Sequence, residues 1–200
     1  MKRVGIFSGT FDPVHRGHVQ FAHDAIKWCS LDKVFFLVEP RPRRKQGVKA
    51  FEHRVNMVQL AIADEPKMGV IVLDQARFTP HETLPPLTAR FKGAELSMLI
   101  GEDMLTHMAE WPHVEDLLKN VQFIIGVRGE HNDINHHIKE IEKVKGLEFH
   151  YSVFSTDLSD YSSSKARLSL RRGHKPRGLH ADVAEYIAEN KLYTSTGGAS

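Results

Sequence analysis

Lys2-Arg3-Val4-Gly5-Ile6-Phe7-Ser8-Gly9-Thr10-Phe11-Asp12-Pro13-Val14-His15-Arg16-Gly17-His18 is the stretch that decides the fold. A short apolar run, Val4 to Phe7, breaks into Ser8-Gly9-Thr10, then Pro13, then two histidines three apart. That order reads as a strand, a tight turn and the start of a helix. Gly9 lets the backbone turn and puts no side chain in the way of a ligand. Pro13 fixes the turn before the helix. His15 and His18 share one face of the first helical turn, with Gly17 keeping that face open. Helix amino ends attract anions through unpaired N–H groups and the helix dipole. The simplest object that needs all of these together is a nucleotide polyphosphate.

Outward from this stretch, apolar runs alternate with helical patterns. Arg3 to Phe7 is a buried strand, and His18 to Ser30 a helix whose apolar face is Val19, Phe21, Ala22, Ala25 and Ile26. Lys33 to Val38 is a second strand, Pro40 to Lys49 a loop, and Phe51 to Ala63 a helix burying Val55, Val58, Leu60 and Ile62. Further strands are predicted at Val70 to Leu73, Leu96 to Ile100, Val121 to Ile125 and Leu147 to Val153. Leu87 to Phe91, Met104 to Lys119 and Ile134 to Val144 read as helical. Short continuous β runs separated by helices predict an α/β fold, a doubly wound parallel sheet covered on both faces. Its crossovers are right-handed, and its ligand site lies outside the carboxyl ends of the strands, where strand order reverses. Ser162 to Arg171 and Ala181 to Asn190 add a small helical C-terminal segment, over about residues 160–193, with Gly173 to Gly178 as the loop between them. Residues 1–193 are expected to form a single domain and 194–200 a flexible tail.

The chain has 200 residues, enough for one domain with a proper core. Hydrophobic and charged contents of 41% and 26% are ordinary for a globular protein. A net charge of +2 excludes a molecule that binds nucleic acid by its overall field. Cys29 is the sole cysteine, so neither an intramolecular disulfide nor a multi-thiolate zinc site can form. Four apolar residues after Arg3 are too few for a secretory signal, and no run approaches the ~20 residues that span a bilayer. The expectation is a cytoplasmic soluble protein. The 13 histidines are mostly scattered and need no metal to explain them.

Other residues carry readings of their own. Ser162, Ser163 and Ser164 offer hydroxyls and amides at a helix start, and Arg167 shares their face. They can hold the β and γ phosphates of a nucleotide, or form a serine cap with a surface arginine. Asp103, just past Gly101 at a strand end, can accept hydrogen bonds from ribose hydroxyls or cap the next helix. Trp111 can stack on a ligand ring or pack beside Leu105 and Met108. Arg41, Arg43, Arg44, Lys45 and Lys49 make a basic loop with no interleaved aromatics, unlike a nucleic-acid surface. His131, His136 and His137 read as a polar loop entering a helix rather than a metal site.

Ser8 to His18 resembles the signature of the nucleotidyltransferase superfamily, whose members share a His/Thr-x-Gly-His motif. Tyr161-Ser162-Ser163-Ser164-Lys165-Ala166-Arg167 is similar to that family's Ile-Ser-Ser-Thr-x-x-Arg. Leu99-Ile100-Gly101-Glu102-Asp103 followed by Trp111, and the closing Ala181 to Tyr193, extend the resemblance over nearly the whole chain. Together they resemble the bacterial-type nicotinate-nucleotide adenylyltransferase branch. The resemblance implies a Rossmann-like fold and transfer of AMP from ATP to a mononucleotide phosphate, with release of pyrophosphate and with Mg2+ bridging phosphates. It implies that His18, His15 and Thr10 are catalytic. It implies ATP contacts from Ser8, Gly9, Thr10, Phe11, His15, His18, Gly101, Asp103, Ser162, Ser163 and Arg167, and acceptor contacts from Lys45, Thr83, Trp111 and Arg128. No resident metal site is expected, the partners are small nucleotides rather than nucleic acid or membrane, and a homo-oligomer stays open.

The branch usually carries Ser-Tyr-Thr-x-Asp-Thr-Leu before the fourth strand, where this chain has Phe78-Thr79-Pro80-His81-Glu82-Thr83-Leu84. Ser8 stands where glycine is usual, and Gly129 rather than proline follows Arg128. Nicotinamide mononucleotide and phosphopantetheine therefore stay open as acceptors. A nucleotide-binding regulator without catalysis is the other class, and the retained histidines and distal serine–arginine pair count against it.

Overall fold

Val4 and Ile6 of β1 (Lys2–Gly9) point into one core, and Phe36 and Val38 of β2 (Lys33–Val38) into the other, as the two-residue period of strands requires. The computed structural model describes residues 1–42, 45–73, 78–127, 134–156 and 161–194. After β1 and β2 come β3 (Met68–Ile71), β4 (Ala94–Gly101), β5 (Gln122–Val127) and β6 (Tyr151–Ser155). They form a six-stranded sheet in the order β3-β2-β1-β4-β5-β6, with every neighbouring pair parallel. The α/β, doubly wound reading holds.

One face is covered by α1 (Arg16–Trp28), α2 (Phe51–Ala61) and α7 (Ala181–Glu189), the other by α3 (Pro80–Arg90), α4 (Val114–Asn120) and α5 (Ile134–Lys145). Val183 and Ile187 of α7 are 0% and 2% exposed, and burial of each contributes about 1.5–3 kcal/mol. That burial, with the Tyr186 hydroxyl 2.8 Å from His53 Nδ1 on α2, fixes the C-terminal segment to the sheet domain. α6 (Ser163–Arg171) precedes it, and the Arg16 amide donates to the Gly178 carbonyl between α6 and α7 (2.7 Å). β1 and β4 are neighbours whose chains leave toward opposite sides, so their carboxyl ends frame the crevice expected at the reversal of strand order.

Several boundaries differ from the sequence expectation. α1 begins at Arg16 rather than His18, with His15 as its N-cap. α3 is a full helix where only Leu87 to Phe91 was predicted. Pro80 occupies its first turn, where a missing N–H does no harm, and Thr83, Leu84 and Leu87 bury against the sheet. Pro85 and Pro86 remove bonds to the carbonyls of His81 and Glu82, which are exposed residues and can turn to water. The predicted Met104 to Lys119 helix is two pieces: a 3-10 helix over Glu102–Glu110, then α4. Pro112 forces Trp111 into extended backbone, and His113 reverses the chain at φ 58°. β3 ends at Ile71, the last residue to find a partner on β2. The final strand runs from Tyr151 rather than Leu147, since its pairing with β5 begins only there.

Candidate active site

The turn after β1 and the start of α1 form one wall of a cavity of about 680 Å³. Gly101 and Asp103 at the end of β4, the start of α6, and the run through Lys45 to Val48 supply the others. Phe78, Met104, Trp111, Leu117 and Phe123 give it an aromatic and apolar part of its lining. A space of this size suits a nucleotide-sized ligand.

The imidazoles of His15 and His18 stack with centroids 3.7 Å apart, as their three-residue spacing allows. The His15 N–H donates to His18 Nδ1 (3.2 Å). Nδ1 must therefore be the unprotonated nitrogen, and the ring proton sits on Nε2 as a donor. Gly17 leaves room beside them: a Cβ there would lie 3.0 Å from both His15 Nδ1 and Tyr161 Cβ and would press on the histidine stack. The Phe11 ring is 3% exposed and meets His18 edge-on at 5.0 Å, so it backs the histidine from the core side. Phe11 takes φ 50°, and a Cβ on Gly9 would come within 2.8 Å of its ring, which is why glycine precedes it.

Thr10 is buried, and its Oγ1 accepts from Lys45 Nζ (2.9 Å). Lys45, expected among the acceptor contacts, lines the cavity with its ammonium on the turn after β1. Ser8 Oγ donates to Glu39 Oε1 (3.2 Å), tying the ends of β1 and β2. The distal clamp reaches the same turn across more than a hundred residues of sequence. Ser163 Oγ donates to the Pro13 carbonyl (2.9 Å), and Arg167 donates to the Asp12 carbonyl (2.7 Å) and to Ser164 Oγ (3.1 Å). Ser162 caps α6 by accepting from the Lys165 amide (3.1 Å).

Asp103 is exposed on the 3-10 helix with Oδ1 over the end of β4, where a Cβ on Gly101 would meet it at 2.5 Å. Trp111 is half-buried and lines the cavity. Thr83 is not brought to the cavity: it is 1% exposed, and its hydroxyl accepts from the Thr79 amide (3.1 Å) at the start of α3. Arg128 and His131 lie outside the described residues. His136 and His137 sit on α5 with rings 5.9 Å apart. Among the described residues, the one group with metal-ligand spacing is His81, His113 and Asp116, on the surface beside the starts of α3 and α4.

Three important residues escaped the sequence reading. Asp12, 5% exposed, accepts from the Tyr193 hydroxyl (2.6 Å) and the Lys49 amide (3.3 Å). Burial and that carboxylate push the Tyr193 phenol well above its ordinary range. Arg54, on α2, is fully buried against the same turn, and desolvation lowers its guanidinium pKa, with Asp12 the largest opposing influence. An aspartate ahead of proline in a glycine-containing turn was the one signal available, and it reads equally as turn chemistry.

The cytidylyltransferase-like family pattern matches residues 6–169. A Bacillus subtilis (strain 168) protein named nicotinate-nucleotide adenylyltransferase is 30% identical over 98% of this chain and 100% of its own length. A Symbiobacterium thermophilum protein named probable nicotinate-nucleotide adenylyltransferase is 34% identical over 96% of each chain. Among solved structures, Plasmodium falciparum nicotinic acid mononucleotide adenylyltransferase complexed with NaAD superposes with a TM-score of 0.79. It covers 96% of this chain and 98% of its own at 19% identity, a likeness of fold.

Proposed function

Because this chain belongs to the cytidylyltransferase-like family, we propose that it is an adenylyltransferase that moves AMP from ATP to the phosphate of nicotinate mononucleotide, releasing pyrophosphate, in NAD biosynthesis. The observation that carries this reading is one continuous cavity. Its lining joins a tautomer-fixed histidine and the turn after β1 with the aromatic side chains of Phe78 and Trp111. Relatives of that activity align with this chain end to end.

The acceptor phosphate is already ionised near neutral pH, so attack on the α-phosphorus needs no enzymic nucleophile or strong base. The work left is alignment and charge stabilisation. His18 donates from Nε2 to the α-phosphate as charge develops there. Its neutral form already carries that proton, because Nδ1 is taken by the His15 amide. Thr10, His15 and Lys45 orient the polyphosphate. Ser163 and Arg167 exchange part of their bonding to the Asp12 and Pro13 carbonyls for the leaving pyrophosphate. Asp103 receives the ribose hydroxyls, and Trp111 stacks on the acceptor ring. Mg2+ enters with ATP as part of the substrate, held by phosphate oxygens and water. The nearby carboxylates fit that role only loosely, since Asp12 is committed to Tyr193 and Lys49, and Glu39 to Ser8.

Pyrophosphate release from ATP with nicotinate mononucleotide, nicotinamide mononucleotide and phosphopantetheine tests the proposal. Turnover is expected with the nicotinate acceptor at the highest kcat/KM. Preference for another acceptor overturns the substrate assignment, and no pyrophosphate with any acceptor overturns the enzyme.

A further inference from the structure

Arg54 comes just before Val55, Met57 and Val58 in the run of α2 that fills the core, and it is 1% exposed. Its guanidinium makes four hydrogen bonds, all to main-chain carbonyls. One terminal nitrogen donates to Thr10 (2.8 Å) and Glu39 (2.7 Å), the other to Pro40 (2.9 Å), and Nε to Lys49 (2.9 Å). Those carbonyls belong to three separate segments: the turn after β1, the end of β2 and the run into α2. Only a planar fork of five donors can serve acceptors in so many directions at once; an ammonium cannot. None of the four bonds goes to a carboxylate: carbonyl dipoles hold the guanidinium at contact, and the Asp12 charge favours it without a direct hydrogen bond. Placing a cation there is expensive unless the geometry it enforces is needed.

Thr10 is therefore gripped from two sides. Arg54 holds its carbonyl from within the core, and Lys45 holds its hydroxyl from the cavity (2.9 Å). We infer that Arg54 is a positioning residue of the phosphate cradle: it sets the Thr10 main chain against the end of β2 and lays a buried positive charge beneath the polyphosphate. The inference deepens the adenylyl-transfer reading and rests on it. Substrate is not touched by Arg54; its effect reaches the nucleotide through Thr10 and Lys45.

Two variants separate this role from simple support of the fold. Arg54→Lys keeps the charge and loses the fork, whereas Arg54→Met loses both. The readouts are KM for ATP, KM for the acceptor, kcat, melting temperature, and ATP affinity by calorimetry on the intact protein. Arg54→Lys is expected to raise KM and Kd for ATP at least about tenfold and to leave the acceptor KM within about twofold, since the lost bonds fix only the cradle. Arg54→Met raises both ATP constants further; if it fails to fold, Arg54→Lys carries the test alone. A merely structural role would lower the folded fraction and the apparent kcat, and leave KM for ATP unmoved in the molecules that remain folded. Wild-type KM and Kd for ATP in Arg54→Lys would overturn the inference. If the wild-type protein binds ATP but turns over no acceptor, the adenylyl-transfer reading falls, and the calorimetric comparison still decides the role of Arg54.

Discussion

His18 does two separable things, and substitution can take them apart. Its Nδ1 accepts the His15 amide at the start of α1 (3.2 Å), and in the proposed mechanism its Nε2 proton is the donor to the α-phosphate. Asparagine at this position places a carbonyl oxygen near the Nδ1 position but no donor near Nε2. Glutamine does the reverse, reaching the Nε2 position and leaving the His15 amide unserved. The lost amide bond is worth about 0.5–1.5 kcal/mol of stability, a shift of about 1–6 °C in melting temperature for a chain of this size. The lost donor to developing charge is worth about 100- to 1,000-fold in turnover, as for one oxyanion-hole donor. His18→Asn should therefore fold like the wild type and turn over about 100- to 1,000-fold more slowly, with KM for ATP changed much less. His18→Gln should be the less stable and the more active of the two, and His18→Ala should lose both properties. Pyrophosphate release kinetics and thermal unfolding on all three variants make the measurement. Near-normal turnover in His18→Asn or His18→Ala would refute the role given to Nε2.

Gly17→Ala should keep or slightly raise stability, because alanine gains about 0.5–1 kcal/mol over glycine inside a helix. Its Cβ would press on His15 Nδ1 and Tyr161 at 3.0 Å, so turnover should fall about tenfold; unchanged kcat would show that the histidine stack tolerates displacement. Trp111→Ala should raise the acceptor KM about tenfold through loss of ring stacking and leave KM for ATP unchanged; a rise in the ATP constant alone would place Trp111 on the wrong substrate. Burial, helped by the Arg16 charge, holds the His180 imidazole below its ordinary pKa, about 6.5. The unfolded chain then binds the extra proton first, so His180 has no effect above that pH and destabilises the fold progressively as pH falls below it. Denaturant unfolding at pH 7.5 and pH 5.5 should show His180→Gln losing less stability than wild type across that interval; an identical loss would refute the assignment.

The sheet was readable from the sequence because its signal is local. Val4 to Phe7, Val34 to Val38 and Leu96 to Ile100 are continuous apolar runs, as strands buried on both faces must be, and the helices between them impose parallel pairing. The turn was equally plain, since Gly9 answers to the Phe11 ring and Gly17 in part to the His15 ring, each two residues away, and Pro13 restricts its own backbone. α3 was missed because two prolines outweigh a helical pattern by local propensity. The core burial of Leu84 and Leu87 that overrides them is a tertiary fact. Thr83 misled for a related reason: its place in a resembling segment says nothing about whether its hydroxyl faces a ligand or caps its own helix.

The order of short-range features along the chain was enough to settle the fold class, the turn after β1 and the histidine pair at the start of α1. Which distant groups hold that turn in shape depended on folding. Arg167 finds Asp12 across 155 positions, Tyr193 finds the same residue across 181, and Arg54 takes the Thr10 carbonyl across 44. Charge and hydroxyl content can be read from a residue's letter. The partner of a buried polar group cannot, because burial brings in whichever acceptors packing delivers, and packing is a property of the whole sheet and its two helical layers.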